Sequence, residues 1–216
     1  MLSRDDLITR AKQIQGWMSE SDLITLFELG TKYIKPNGFV IEIGVWKGLS
    51  TYILGSICKD VGATLYAIDT FAGVEDHDSY KNLESNAGSY HEAVVNPEFY
   101  KIFLENMKGL PVVALKGDSQ EVMKYIPNGI ADMVFIDGNH NHPVVDKDIE
   151  NGLKKIKPDG LLCGHDHGNY EKADGSTIGS DISEAVDTFL GKRWEGWNIY
   201  SSPDVVETTT SIWIKL

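Results

Sequence analysis

VIEIGVWKGLST, residues 40–51, decides how the rest of the chain is read. Val40 to Ile43 belong to a short apolar run, FVIEIG (39–44), of the kind a buried strand needs. Leu49 opens LSTYILGSICK (49–59), which has helical length and spacing. Between them lies Glu42-x-Gly44-x-x-x-Gly48. This is not the dinucleotide fingerprint G-x-G-x-x-G, because Trp46 stands where the second glycine would be. That glycine lets a backbone approach a pyrophosphate. With a bulky side chain in its place a diphosphate ligand is disfavoured. Gly44 can still make a tight turn, and Gly48 a close helix contact.

The same rhythm repeats outward. TLYAID (64–69), PVVALKGD (111–118), ADMVFIDG (131–138) and GLLCGHD (160–166) read as strands. SQEVMKYI (119–126), VVDKDIENGLKKI (144–156) and DISEAVDTFLGK (181–192) read as helices. WNIYSS (197–202) and SIWIKL (211–216) form a terminal antiparallel pair in this reading, with Trp194, Trp197 and Trp213 packing it onto the sheet. Alternation of this kind predicts an α/β fold with a mostly parallel sheet covered on both faces. Ahead of it, residues 3–16 and 21–35 read as two helices, the second capped by Ser21 and Asp22. Residues 1–35 are therefore a helical extension that covers the site or forms a dimer face, and 36–216 are the main domain. The polar segment 72–95, with Tyr80, Tyr90 and His91, is a loop that either stays solvated or closes over the site.

In such a sheet, ligands bind at the carboxyl ends of the strands. Here those ends carry Glu42, Asp69, Asp118-Ser119, Asp137 followed by Asn139 and His140, and His165-Asp166-His167. One acidic strand end is usually a cap for the next helix. Five together point to a shared polar ligand. Asp69 lies 27 residues after Glu42, where an acidic residue accepts hydrogen bonds from a ribose diol. A ligand with a ribose, no diphosphate and a tolerance for carboxylates is a cationic nucleoside.

The 216 residues include 20 basic and 32 acidic side chains, a formal charge of −12. This disfavours nucleic acid and anionic membrane as the main partner, since both require a basic face. The amphipathic start MLSRDDLITRAKQ lacks the apolar core of a signal peptide, and no run approaches the ~18 apolar residues of a membrane span. Cys58 and Cys163 sit in apolar contexts and read as buried thiols, not a disulfide. A cytoplasmic location is expected.

VIEIGVWKGLST, YAIDTF, GDSQEVM, DMVFIDGNH and IKPDGLLCGHD, taken in order, resemble the successive motifs of class I S-adenosylmethionine-dependent methyltransferases, in the branch of macrocin O-methyltransferase and cephalosporin hydroxylase-like proteins. The resemblance runs from about residue 36 to the C-terminus. It implies a Rossmann-like seven-stranded sheet and S-adenosyl-L-methionine as cofactor. It implies that Glu42, Gly44 and Gly48 line the methionine part and that Asp69 binds the ribose. Phe71 would lie near the adenine, and Asp118, beside Ser119, would accept from its amino group. Several members of the branch hold Mg²⁺ at positions matching Asp137, His165 and Asp166. The implied reaction is methyl transfer to the hydroxyl of a small molecule, a sugar or natural product, with His140 the first candidate base beside Asp137 and His167 the second. Two departures bear on the metal. Asn139 replaces the second aspartate of the branch's IDGDH, and His165 replaces an acid. Imidazole suits zinc better than magnesium, so the identity of a divalent cation, Mg or Zn, stays open.

Two other readings compete. Gly117-Asp118, Gly138-Asn139-His140 and Gly164-His165-Asp166-His167 resemble GD, GNH and GHxH of calcineurin-like metallophosphoesterases. The family's D-x-H element is missing, however, and the last two motifs lie too close together. A non-catalytic S-adenosylmethionine-binding protein is the third reading. The histidines crowded around one strand end argue for chemistry instead. Homo-oligomer formation is also expected, with the N-terminal helices as the candidate face.

Overall fold

A computed structural model describes residues 3–73, 98–166, 185–186 and 212–214, with the backbone of 84–85, 88–89, 170–171, 177–178, 197–199 and 215. Its centre is a seven-stranded sheet. The strands are β1 (Phe39–Ile43), β2 (Thr64–Asp69), β3 (Val112–Lys116), β4 (Ala131–Ile136), β5 (Ile156–Gly164), β6 (Trp197–Ile199) and β7 (Trp213–Lys215). Their order is β6-β7-β5-β4-β1-β2-β3. β1 to β5 pair in parallel, and β7 runs antiparallel to both β5 and β6. The Rossmann-like sheet and the reversed C-terminal strand expected from the sequence are present.

The helices described in full are α1 (Arg4–Ala11), α2 (Glu20–Tyr33), α3 (Leu49–Val61), α4 (Phe99–Asn106), α5 (Ser119–Val122) and α6 (Val144–Lys155). A 3₁₀ turn, Met123–Tyr125, continues α5. α1 to α4 share one buried face, where Leu7, Leu26, Ile53, Leu54 and Phe103 meet Met133 and Phe135 of β4. α6 covers the other, with Val145 and Ile149 against Ile41, Val134 and Leu162. The N-terminal helices thus share a core with the sheet. β4 is buried along its whole length, which explains its unbroken apolar run.

Three details differ from the expectation. The cap of α2 is Ser19, with Asp22 as its reciprocal partner three residues on: the Ser19 N–H donates to Asp22 Oδ2 (2.9 Å), and the Asp22 N–H to Ser19 Oγ (3.1 Å). This capping box puts the cap two residues upstream of the predicted Ser21 and the helix start one residue upstream of the predicted one. Helix α4 was not anticipated. It exists because Phe99 and Phe103, one turn apart, both bury in the α1–α4 core. β5 starts at Ile156, four residues before the predicted strand. Of the predicted helix 181–192, only 185–186 are described, and both residues are helical and buried. Most of the segment 72–95, and the side chains of Trp194 and Trp197, lie outside the described residues.

Cys58 and Cys163 are free and buried, as expected. Among the described residues no helix is long and apolar enough to cross a membrane.

Candidate active site

Strand order reverses between β1 and β4, so the crevice a ligand can enter opens at the carboxyl ends of these two neighbours. The ends are locked together. The Asp137 N–H donates to Ile43 O (2.8 Å), the Gly44 N–H to Ile68 O (2.9 Å), and the His165 N–H to Ile136 O (3.0 Å). Gly44 has φ +79°, and a Cβ there would lie 2.1 Å from Asp137 O. No other residue fits that turn, because it must be left-handed and must also touch β4.

The glycine turn closes on Asp69. The N–H groups of Val45 and Trp46 donate to Asp69 Oδ2, both at 2.9 Å, and the Phe71 N–H donates to Oδ1 at 2.6 Å. The end of β2 thereby clamps the end of β1. Oδ2 accepts two donors and Oδ1 one, so Oδ1 retains acceptor capacity for a further hydroxyl. Glu42 lies beneath, fully buried. Ser50 Oγ donates to its Oε1 at 2.5 Å. Oε2 has no partner, and the nearby Thr51 hydroxyl falls short of a hydrogen bond. Burial, reinforced by the charges of Asp137 and Asp69, pushes the Glu42 carboxyl up to about 8. An unsatisfied buried carboxyl is costly unless something else completes it.

Beside this turn, Trp46 (φ +43°) stacks on Trp17 with ring centroids 4.2 Å apart and meets Phe99 edge-on. The Lys47 ammonium sits 4.4 Å from the Trp46 ring centroid. The residue that excluded a diphosphate therefore builds an aromatic wall, and half-exposed Trp17 is part of it.

A second group forms at the ends of β4 and β5. Side-chain atoms of Asp137, His140 and Asp166 lie within 4.8 Å of one another, close enough to share one metal ion. His140 Nε2 is 3.1 Å from Asp166 Oδ2. His165 stands behind them, 5% exposed, with Nδ1 3.2 Å from Asp166 Oδ1 and 3.7 Å from Asp137 Oδ1. Its Nε2 is 3.3 Å from Asp22 Oδ2, on α2. The charges interlock. Burial opposes both imidazolium ions, but the carboxylates of Asp166 and Asp137 outweigh it. His140 is raised, and His165 rises well above the ordinary histidine value. Asp166 is buried too, yet its two imidazole partners hold it well below the usual carboxylate range. Asp137, buried and facing Asp166 and Asp22, is pushed up to about 7.

His165 touches this group but is not among the three that converge, so the geometry puts His140 where the sequence-based set had His165. Phe71 takes a left-handed backbone (φ +52°) and buries against Tyr100 and Phe103 of α4. Asp118 is exposed, and its Oδ1 caps α5 through the N–H groups of Gln120 and Glu121. Of the GD, GNH and GHDH letters of the phosphoesterase reading, the last two meet through His140 and Asp166, but Asp118 of the first stays outside their group. His142 pairs with Asp146 of α6 at 2.9 Å. His167 lies outside the described residues.

Sequence reasoning missed Asp148. Its buried carboxyl accepts from Ser119 Oγ at 2.6 Å, under the Gly138 turn, and is pushed up to about 6 by burial. It also missed Asp22 as a site neighbour, since no spacing rule links residue 22 to residue 165. A surface groove lined by Leu7, Arg10, Phe27 and Tyr52 contains none of the predicted site residues.

Residues 41–167 match the sequence model of a family described as a methyltransferase domain. Solved structures with similar folds include CalS11, a calicheamicin methyltransferase (TM-score 0.59, 12% identity, covering 98% of this chain and 91% of that one). Another is the SAH-bound methyltransferase PaMTH1 of Podospora anserina (0.62, 11%, 100% and 88%). A third is an rRNA methylase from Streptococcus thermophilus (0.55, 10%, 92% and 96%). At these identities the likeness is one of fold, and the three names show that the fold alone does not set the acceptor. The family match spans more than half of the chain and contains Glu42, Asp69, Asp137, His140 and Asp166; the protein belongs to the methyltransferase-domain family and has the fold of the class I S-adenosylmethionine-dependent methyltransferases.

Proposed function

We propose that the protein transfers the methyl group of S-adenosylmethionine to a hydroxyl oxygen of a small molecule, assisted by a divalent cation. The observation that carries this reading is the meeting of two polar groups at one switch point. An acid-lined glycine turn with a buried, half-satisfied carboxyl adjoins a cluster of two carboxylates and an imidazole.

The cofactor fits the first group. Glu42 Oε2 is an orphaned acceptor, and a cationic ligand supplies what it lacks. Asp69, already fixed by three backbone N–H groups, is held ready for a ribose diol. The bound cofactor contributes an electrophilic methyl on a sulfonium centre. The second group fits a divalent cation on the oxygens of Asp137 and Asp166, since a magnesium-like ion is usually held by one or two carboxylates. Such an ion contributes a lowered pKa for a bound hydroxyl. His140, oriented by Asp166, takes the acceptor proton, a step that contributes roughly a hundredfold to ten-thousandfold. The clamped ends of β1, β2 and β4 supply alignment, worth several kcal/mol when reacting atoms are held at ~3 to 3.5 Å. The aromatic wall of Trp17 and Trp46 favours an acceptor with an apolar ring face. The formal charge of −12 disfavours an RNA acceptor.

The reading is tested by incubating the protein with methyl-labelled S-adenosylmethionine and a panel of hydroxylated sugars and phenols, with Mg²⁺ or with a chelator. A labelled methyl ether that needs the cation supports it. Transfer that is indifferent to chelation removes the cation. Label appearing only on RNA or protein in parallel reactions overturns the acceptor class.

A further inference from the structure

We propose that Asp22, on the N-terminal helix α2, is a positioning residue of the active site: it holds His165, and through it fixes Asp166 against His140. The inference rests on the reading of Asp137, Asp166 and His140 as the reactive group.

Three observations carry it. The contacts form one line of alternating carboxylates and imidazoles. Asp22 Oδ2 to His165 Nε2 is 3.3 Å, His165 Nδ1 to Asp166 Oδ1 is 3.2 Å, and Asp166 Oδ2 to His140 Nε2 is 3.1 Å. Each oxygen of Asp166 thus faces a different ring, so its plane is set from both sides. The inner end of the line is dry: Asp22 is 3% and His165 5% exposed. A buried ion pair is weak evidence for stability, because an apolar pair of similar size holds a fold as well. A role in orientation accounts for keeping it. Finally, Asp22 lies outside residues 41–167, the segment that matches the methyltransferase family. The helical extension therefore supplies a part that the matched segment lacks.

The geometry gives Asp22 two tasks at once. Its Oδ2 also accepts from the N–H and Oγ of Ser19, closing the cap of α2. The cap fixes the carboxylate before it meets His165, and an anion in the first turn is favoured by the helix dipole. Groups that orient the ligands of a metal site typically change its affinity 10- to 100-fold when removed.

The test uses the chelator-treated full-length chain, with two readouts: free Mn²⁺ followed by its electron paramagnetic resonance signal, and the ring ¹⁵N shifts of the histidines. Asp22→Asn keeps an acceptor oxygen for the Ser19 N–H, so α2 retains its cap, but the charge facing His165 is gone. The ring signals of both His165 and His140, the latter two links away, should move. The Mn²⁺ dissociation constant should rise about 10- to 100-fold. Glu20→Gln removes a charge two residues away and should leave the ring signals in place and the Mn²⁺ dissociation constant within about twofold, because it loses only a screened charge in an exposed ion pair with Lys12. Equal changes in the two variants would reduce the effect to net charge and overturn the proposal. If the unaltered protein takes up no Mn²⁺, the cation part of the proposed function fails and the ring signals alone decide. A His140 signal that does not move in Asp22→Asn then overturns the positioning role. Should Asp22→Asn not fold, His165→Gln cuts the same line from its other partner, and an unmoved His140 signal there overturns it equally.

Discussion

The two halves of the site are built by opposite means. At the ends of β1 and β2, backbone does the work: three main-chain N–H groups fix Asp69, and a left-handed glycine lets β1 touch β4. At the ends of β4 and β5, side chains do it: two imidazoles and three carboxylates hold one another in place. The first half is rigid by connectivity and needs a ligand only to complete Glu42. The second is held by charge, so its geometry should depend on protonation, on bound cations and on a helix at the far end of the chain. The halves should therefore respond separately to substitution.

His140→Ala makes the sharpest cut. Methyl transfer to an identified acceptor should slow about a hundredfold to ten-thousandfold. Binding of S-adenosylhomocysteine (SAH), the demethylated cofactor, should stay within about threefold, because His140 belongs to the other half. Equal loss of binding and turnover would merge the two. Asp166→Asn comes next. Calorimetric titration with Mn²⁺ should show at least a ~100-fold weaker site, as expected when one of two anionic ligands is neutralised, with SAH affinity unchanged. Asp69→Ala is the converse. SAH affinity should fall about 10- to 100-fold, the equivalent of one hydrogen bond to a charged group at ~1.5 to 3 kcal/mol. Mn²⁺ affinity should hold. A parallel loss in both titrations would contradict the separation.

The smallest expected effect is one of pH. In the empty protein Glu42 titrates at about 8, against about 4.3 in an unfolded chain. Between those values the folded chain keeps a proton that the unfolded chain has lost. The stabilising contribution is therefore full below pH ~4.3 and is lost as pH rises toward 8. Melting curves of Glu42→Gln should lie closest to those of the unaltered protein at pH ~4 and rise progressively above them toward pH 8. Parallel curves across that range would show that Glu42 is not held neutral.

The same contrast explains what the sequence could say. The backbone-built half was legible because its parts are local. Glu42, Gly44 and Gly48 fall within seven residues, and Asp69 ends the next strand of a repeating unit. Buried parallel strands announce themselves as apolar runs, so Thr64–Asp69 was bounded correctly from its letters and the ends of β4 and β5 were placed to within two residues. The charge-built half was only partly legible. That Asp137 and Asp166 would meet could be argued from strand ends. Which imidazole joins them could not, because His165 turns inward toward Asp22, 143 positions earlier. At Phe71 and Asp118 the letters leave more than one use open. An aromatic after a strand can as easily fill the core, and an aspartate before a helix can as easily cap it. Helix α4 escaped notice because its aromatic letters, FYKIFLEN, favour strands by propensity and become helical only through the packing of Phe99 and Phe103.

The central claim is that the Glu42–Asp69 end of the sheet is an S-adenosylmethionine site adjoining a separate cation site. Titration calorimetry of the chelator-treated protein with SAH, repeated after adding Mg²⁺ or Mn²⁺, tests it most directly. The account predicts micromolar binding without metal, retained in Asp166→Asn and weakened in Asp69→Ala. Absence of binding with and without metal, or binding that survives Asp69→Ala undiminished, would contradict it.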